Sequence, residues 1–507
     1  MSDMSDTSEE VQVPDNPVLH MDPQAAMAWK FRMVTTPAGR STLYVADSLL
    51  LSVPERDAAE RIKSIGEAAA KLGIGVEAMP LGVRGVKERP SGETASSISR
   101  LVLHGTAGDV DAWRLLEHLR AAGAADGVWL DHAMAAAQPP PGSGPDYQGV
   151  PYYAGVPYYA GVPYYAGVGA PATSYANPGM GGRSPVSVVL PDPAAAGKRA
   201  QRPPVVVIPD TGLEDHPWFR DPARATASVF VGGQLLGRHG TVPGSTAPEP
   251  VRNPLDGTLL PLAGHGTFIA GIIRQICPTA VILGIPVMAD DGVVSESCLI
   301  ATLNSLLARQ QGALDQGDTD SLIDVLSLSL GYYHEQPQDQ LADAPLNELL
   351  GAFGKAGVLV VAAAGNNSTT APMYPAAFAG QPTAPGQLPL AAVGALNPDG
   401  TVAYFSNAGA WVSCHRPGAA LVSTMPPRLS GDRQMIAALP GAGIRRATID
   451  PDDFSGGFGV WSGTSFAAPV LAAELAQHLV DSTDPLLSAR LDRAWNACGE
   501  VLGWKRP

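Results

Sequence analysis

From Ser41 to Met134 the spacing of apolar positions switches between the two-residue repeat of strands and the repeat of helices. "STLYVADSLLLSV" is dense in β-formers, and in "ERDAAERIKSIGEAAAKLG" the residues Ala59, Ile62, Ile65 and Ala69 share one face of a helix that closes at Gly73. "GIGVEAMPLG" and "SISRLVLHG" read as two further strands, "DVDAWRLLEHLRAAG" as a second amphipathic helix opened by an Asp cap, and "DGVWLDHAM" as a last strand. The expected order is β-α-β-β-α-β, a small ferredoxin-like α+β sandwich, and many unrelated functions use that arrangement. Beyond Pro203 the pattern changes. "PPVVVIPDTG", "TAVILGIPVM", "DVLSLSLG", "GVLVVAAAGN" and "LPLAAVGAL" are continuous apolar runs, as suits strands covered on both faces, with helical patterns between them. They predict an α/β domain with a mainly parallel sheet, whose active residues gather where strands end and loops begin.

Between the two patterned regions the chain turns to Pro, Gly and Tyr from Pro139, and Gly-Val-Pro-Tyr-Tyr-Ala occurs three times from Gly149 to Ala166. Pro and Gly in each six-residue unit exclude a regular helix, and so few short copies build no solenoid core. The segment reads as a spacer whose tyrosines offer a docking motif. The chain is accordingly divided into a flexible acidic N-terminus (1–40), an α+β domain (41–137), a linker (138–202) and an α/β domain (203–507). A length of 507 residues fits this number of units. The net charge of −15 argues against nucleic acid or an anionic membrane as partner, since phosphate binding draws on surplus Lys and Arg. Cys277, Cys298, Cys414 and Cys498 form no C-x-x-C pair and read as reduced, buried thiols. The first residues carry acids and no apolar segment follows, and no run reaches the roughly eighteen apolar residues of a membrane span. The expectation is a cytoplasmic protein.

Three stretches carry candidate chemistry. Asp210 ends the first run of the α/β domain, where it can orient a histidine ring or merely cap a turn. Two histidines stand before Gly-Thr. His239 lies in "HGTVPGSTAPEP", which meets Pro243, Pro248 and Pro250 and cannot continue as a helix. His265 precedes Phe268, Ile269, Ile272, Ile273 and Ile276 at helical spacing, so its imidazole stands at the start of a core helix. A general base needs a rigid mount, which favours His265. Ser465, in "GVWSGTSFAAPVLAAELA", opens an Ala/Leu-rich segment in which Pro469 is expected in the first turn, and a plain N-cap is the competing reading.

Taken together, D-T-G, G-H-G-T-x-x-A-G and G-T-S-x-A-A-P in the order Asp, His, Ser resemble the subtilisin-like serine protease family, the subtilases. The resemblance covers roughly Pro203 to the C-terminus. It implies Ser465 as nucleophile, His265 as general base and then acid, and Asp210 as the group that orients the imidazole. "VLVVAAAGNNS" resembles the oxyanion segment and nominates Asn366; losing one such donor costs about 2.7–4 kcal/mol of transition-state stabilisation. "LSLSLGYY" resembles the substrate-binding edge, where Ser329, Leu330 and Gly331 would pair with an extended peptide. Ala363, Ala364 and Gly365 would line the primary specificity pocket, with room for a bulky apolar side chain. Pro209 before the aspartate, Tyr332 and Tyr333 after Gly331, and the long segment from Asp210 to His265 depart from the family pattern. No metal or other cofactor is implied for catalysis. Structural calcium is common in the family but is assigned here to no residue: Asp290, Asp291, Asp450, Asp452 and Asp453 lack the spacing of a calcium loop and read as surface acids.

Subtilases often carry an N-terminal propeptide of β-α-β-β-α-β form that assists folding and inhibits the enzyme through its last strand. By topology residues 41–137 resemble it, so "GVWLDHAMAAAQ" would enter the cleft, with cleavage near Met134 to Pro139. The implied partners are a protein or peptide substrate and the chain's own front domain. The expected function is a serine endopeptidase made as a self-inhibited precursor. The rival readings are a pseudoprotease or peptide-binding scaffold, and an interaction protein acting through the Tyr-rich linker.

Overall fold

The computed structural model describes residues 30–37, 39–81, 96–105, 110–136, 175, 181–189, 191–195, 200–237, 252–253, 257–335, 344–441 and 443–506. His239, the Gly-Val-Pro-Tyr-Tyr-Ala repeats and the residues just after Ala136 lie outside this set.

The front unit runs β1 (Phe31–Thr35), β2 (Ser41–Pro54), α1 (Ala58–Ala70), β3 (Ile74–Pro80), β4 (Ser96–Gly105), α2 (Ala112–Ala121) and β5 (Val128–Ala136). Its sheet has the order β5-β2-β4-β3 with antiparallel pairing throughout, and β1 adds to β2, so Phe31–Thr35, expected in a flexible N-terminus, is instead a strand of this unit, anchored by the buried Phe31. Both helices bury an apolar stripe. Leu115, Leu116 and Leu119 of α2 meet Ile65 and Ala69 of α1 in one cluster with Leu49, Leu51 and Leu101 of the sheet. Asp111 caps α2, accepting from the Trp113 amide at 3.0 Å, as the sequence implies. One expectation fails: Ala59 is exposed, because α1 begins only at Ala58 and its first turn lies outside the covered stripe.

The second unit is built on β6 (Val205–Asp210), α3 (His265–Ile276), β7 (Val281–Pro286), β8 (Val293–Ser295), α4 (Glu296–Gln316), β9 (Val325–Leu328), β10 (Leu330–Gly331), α5 (Ala344–Lys355), β11 (Leu359–Ala363), β12 (Leu390–Leu396), β13 (Cys414–Pro417), β14 (Leu421–Thr424), β15 (Phe458–Trp461), α6 (Thr464–Gln477) and α7 (Leu487–Leu502). The main sheet has the order β13-β12-β11-β9-β6-β7, with the short strand Ala225–Thr226 at its edge, and every pairing is parallel. All residues of β6 and β11 are buried, which explains their unbroken apolar runs. The chain leaves β6 for β7 on one side and then crosses to β9 on the other. The C-terminal end of β6 is therefore the topological switch point, the place where such sheets open a crevice.

Part of the segment assigned to the linker belongs to this unit. Ser184 and Pro185 pair with β15, the Tyr175 hydroxyl donates to Asn397 at 2.7 Å, and Arg202 pairs with Asp324. None of the four cysteines is in a disulfide; Cys277 and Cys498 are buried, whereas Cys298 and Cys414 are only half-buried. Among the described residues no helix is long and apolar enough to cross a membrane.

Candidate active site

Asp210 is the last residue of β6 and is fully buried. Its Oδ1 accepts from the Thr211 amide at 2.7 Å and lies 2.8 Å from Nδ1 of His265, the first residue of α3. The glycines of the two motifs allow this approach. Gly264 holds φ at 82°, and a Cβ on Gly266 would collide with the Gly212 carbonyl. The threonines lock the loops together: the Gly266 amide donates to Thr211 Oγ1 and the Glu214 amide to Thr267 Oγ1, each at 3.0 Å. D-T-G and G-H-G-T thus form one interlocked structure around the Asp–His pair. Trp461 and Phe466 pack on the imidazole with ring centroids 5.6 and 5.1 Å away.

Ser465 is the second residue of α6, at the positive end of the helix dipole. Pro469 lies inside the helix, beyond the first turn in which the sequence pattern places it. It lacks the N–H that would bond the Ser465 carbonyl, and Ser329 Oγ donates to that carbonyl instead at 2.9 Å. Ser465 Oγ donates in turn to the Ser329 carbonyl at 3.4 Å, and His265 Nε2 has no hydrogen-bond partner among the described residues. Asn366 Oδ1 accepts from both the backbone amide and the hydroxyl of Thr464, each at 2.8 Å. Its carbonyl edge is thereby used, and its NH₂ edge is left as the donor. Gly365 completes the chain of bonds, its amide donating to Thr464 Oγ1 at 3.0 Å.

Ala363, Ala364 and Gly365 follow at the end of β11, all buried. Gly365 has φ of 105°, and a side chain there would strike Asn407 and Met373. Ser329, Leu330 and Gly331 are buried beside Ser465, with Leu330 and Gly331 forming β10. All of the residues nominated from sequence around Ser465 therefore stand near one end of the parallel sheet.

The subtilase family model matches residues 202–489. The chain belongs to the subtilase family. Subtilisin BL of Lederbergia lenta is 26% identical over 230 residues, which cover 44% of this chain and 66% of that protein. Subtilisin Savinase of the same organism is 27% identical over 221 residues, again 44% of this chain and 66% of that protein. The chain thus spans just under two thirds of the length of these curated relatives. A crystal structure of a cold adapted subtilisin-like serine proteinase matches at 19% identity and a TM-score of 0.35, covering 58% of this chain and 82% of that one.

In this subtilase the groove beside Ser465 holds the last strand of the front unit. β5 lies between β8 and β10: Ala133, Met134 and Ala135 pair with Ser295, Val294 and Val293, while Ala135 and Ala136 pair with Gly331 and Leu330. The Ala136 amide donates to the Gly292 carbonyl at 3.0 Å. Met134 is wholly buried. Asp131 reaches the start of α4, where its Oδ1 and Oδ2 accept from the Ser297 amide at 2.9 Å and hydroxyl at 2.8 Å.

The next residue, His132, enters a buried polar cluster. Its Nδ1 lies 2.9 Å from Glu296 Oε2 and its Nε2 3.1 Å from Glu335 Oε2, with Tyr332 stacked on the ring at 4.4 Å. Burial pulls the imidazole down, but the two carboxylates outweigh it and push it up to about 10. Burial raises Glu296, while the His132 and His334 contacts hold Glu335 low against its own burial. Tyr333, the other departure from the family pattern, bonds Asn367 and Asn407 through its hydroxyl. Sequence reasoning missed Thr464, Gly292 and this cluster. A short Gly-Val-Val-Ser run and a His-Glu pair after the tyrosines were the only local signals.

The reading of these acids as surface residues fails for Asp290 and Asp452, which are buried; Asp291, Asp450 and Asp453 are half-buried and accept from backbone amides two residues on, as turn caps do, and Asp452 accepts from the Arg433 amide.

Proposed function

We propose that this subtilase is a serine endopeptidase that hydrolyses peptide bonds through Asp210, His265 and Ser465, and that it is made as a precursor held inactive by its own front domain. The observation that carries the reading is the buried Asp210–His265 pair at the switch point, 2.8 Å apart, with the imidazole packed at 5.1 Å on Phe466, the residue after Ser465. In this scheme Ser465 Oγ turns from the Ser329 carbonyl to His265 Nε2, gives it its proton and attacks the peptide carbonyl carbon. Asp210 accepts from Nδ1 and fixes the tautomer that leaves Nε2 basic. The oxyanion takes hydrogen bonds from Asn366 Nδ2 and the Ser465 amide. His265 then protonates the leaving amine, and a water deprotonated by the same imidazole releases the acid and restores Ser465.

The arrangement of β5 supports the self-inhibition. An extended strand paired on both sides in the groove is how a peptide substrate would lie, and it denies that groove to others. One ladder step beyond Ala136 and Leu330 comes Ser329, the residue bonded to Ser465. The processing cut is accordingly expected within the few residues after Ala136.

Intact-mass analysis of the full chain beside Ser465→Ala tests both parts. The wild type should lose the front domain by a cut between Ala136 and Gly181 and then hydrolyse an unfolded protein, while Ser465→Ala does neither. Equal behaviour of the two chains would overturn the assignment of Ser465.

A further inference from the structure

We propose that His132, His334 and Glu335 form a binding site for one divalent transition-metal ion of zinc type, assembled only when the front domain is docked on the peptidase unit. Among the described residues, their ligand atoms form the one such group of His, Cys, Asp or Glu, all within 4.8 Å of one another. The three residues are 0%, 4% and 2% exposed, respectively. Zinc-type ions lie about 2.0–2.2 Å from imidazole nitrogen and carboxylate oxygen, which sets neighbouring ligands of a tetrahedral centre roughly 3.3–3.5 Å apart. Here His132 Nε2 and His334 Nδ1 lie 3.1 and 3.6 Å from Glu335 Oε2. Two imidazoles with one carboxylate suit such an ion, whereas calcium and magnesium take oxygen ligands.

The outer contacts of the cluster point the same way. Glu296 holds His132 Nδ1 at 2.9 Å, which directs Nε2 toward the other two ligands. Arg120 Nη2 occupies Glu335 Oε1 at 3.3 Å, which leaves Oε2 facing the imidazoles. Partners of this kind orient ligands and raise their affinity for metal. The ion takes the place of the proton between His132 Nε2 and Glu335 Oε2, and that proton passes to solvent. His132 belongs to β5, while His334 and Glu335 follow β10, so the ion joins the front strand to the groove wall. A ligand bound only by the docked form stabilises docking, which makes release of the front domain depend on free metal.

The test uses the full chain carrying Ser465→Ala, which keeps the front domain attached whatever becomes of the peptidase reading. Metal-stripped protein is titrated with Zn²⁺ by calorimetry and with Co²⁺ by visible absorption, and its melting temperature is followed with and without Zn²⁺. The expected result is one ion per chain, the intense cobalt bands of a four-coordinate site and a Zn²⁺-dependent rise in melting temperature. Glu296→Gln should weaken binding by about 10–100-fold. His132→Gln and His334→Gln should abolish it, while His104→Gln, at an exposed front-domain position, keeps it. Absence of stoichiometric binding, or binding that survives both His132→Gln and His334→Gln, overturns the proposal and leaves a proton-held clasp only. If His132→Gln does not fold, His334→Gln on the peptidase side decides the matter.

Discussion

Arg183 lies far from His265 in sequence yet supports it from two directions. Its Nη1 donates to the carbonyls of Leu260, Pro261 and Ala263, at 3.0, 3.1 and 3.2 Å, in the turn that delivers Gly264 and His265. Its guanidinium also lies 5.0 Å from the Trp461 ring, which packs edge-on against the imidazole. Arg183→Met removes the donor and the cation–π contact while leaving the groove strands intact. We expect kcat of the processed enzyme to fall by about tenfold, equivalent to roughly 1.4 kcal/mol, with little change in KM. Arg183→Lys should recover part of the loss, and a change in KM alone would remove the residue from this role. Asn366→Ala belongs to the same scale, with a steeper effect. Loss of an oxyanion donor should lower kcat by about 10²–10³-fold, read with a peptide substrate under saturating conditions. The places of Asp210 at a strand end and of His265 and Ser465 at helix starts were legible in the sequence because each is fixed by its immediate neighbours. Arg183 and Thr464 were not, because their partners are brought to them only by the fold.

At the scale of elements, α6 shows what a helix-interior proline can do. Pro469 frees the Ser465 carbonyl, and Ser329 Oγ satisfies it at 2.9 Å. Ser329→Ala leaves that buried carbonyl unpaired and should destabilise the Ser465→Ala chain by about 1–3 kcal/mol in denaturant unfolding. Adding Pro469→Ala supplies a helical N–H to the same carbonyl, so the double variant should be more stable than Ser329→Ala alone; additive losses would exclude the exchange. The turn after β6 offers a pH-dependent counterpart. His216 accepts from the Trp218 amide through Nδ1 and meets the Gly457 carbonyl through Nε2, and burial lowers it to about 4. Asp192, Asp215 and Arg220 act on it electrostatically, and the two acids offset only part of the burial. The folded imidazole is neutral where the unfolded one, near 6.5, already takes a proton. Its stabilising contribution is therefore complete above about pH 6.5 and is lost as pH falls toward 4. His216→Asn should flatten the fall in melting temperature across that window, and an unchanged slope would assign the fall elsewhere. The central strands β6, β7, β9, β11 and β12 were legible from their apolar runs, since burial on both faces leaves a plain signature, whereas β1, exposed or half-buried at every residue after Phe31, was not. β8 and β10 were harder. They are short, and their pairing is supplied by a strand from another part of the chain.

On the scale of the whole molecule, the two units share a core. Leu50, Trp129, Met134 and Ala136 of the front unit pack in the cluster that contains Phe268, Leu330 and Phe466 of the α/β unit. Entry of the front strand into the cleft could be expected from the family resemblance, but its polar anchors could not, because they pair residues more than a hundred positions apart. Asp131 is one such anchor. It is wholly buried, and besides Ser297 it accepts from the Ser48 hydroxyl at 2.9 Å, while the Arg100 guanidinium lies 3.4 Å away. It supplies the negative charge that the N-terminus of α4 attracts. Asp131→Ala removes a cap of about 0.5–2 kcal/mol from the docked state. It also leaves the buried Ser297 amide without its acceptor, and this loss does not touch Ser465, His265 or the groove backbone. If the front domain restrains the peptidase, the cut fragment of wild type should stay bound and suppress peptide hydrolysis, and Asp131→Ala should weaken that inhibition by about tenfold or more, at roughly 1.4 kcal/mol per factor of ten. The measurement is residual hydrolysis against added dilution after self-processing, with co-elution of the fragment as a second readout. Inhibition unchanged in Asp131→Ala would show that β5 pairing alone holds the front domain, and hydrolysis unaffected by bound wild-type fragment would remove the inhibitor role altogether.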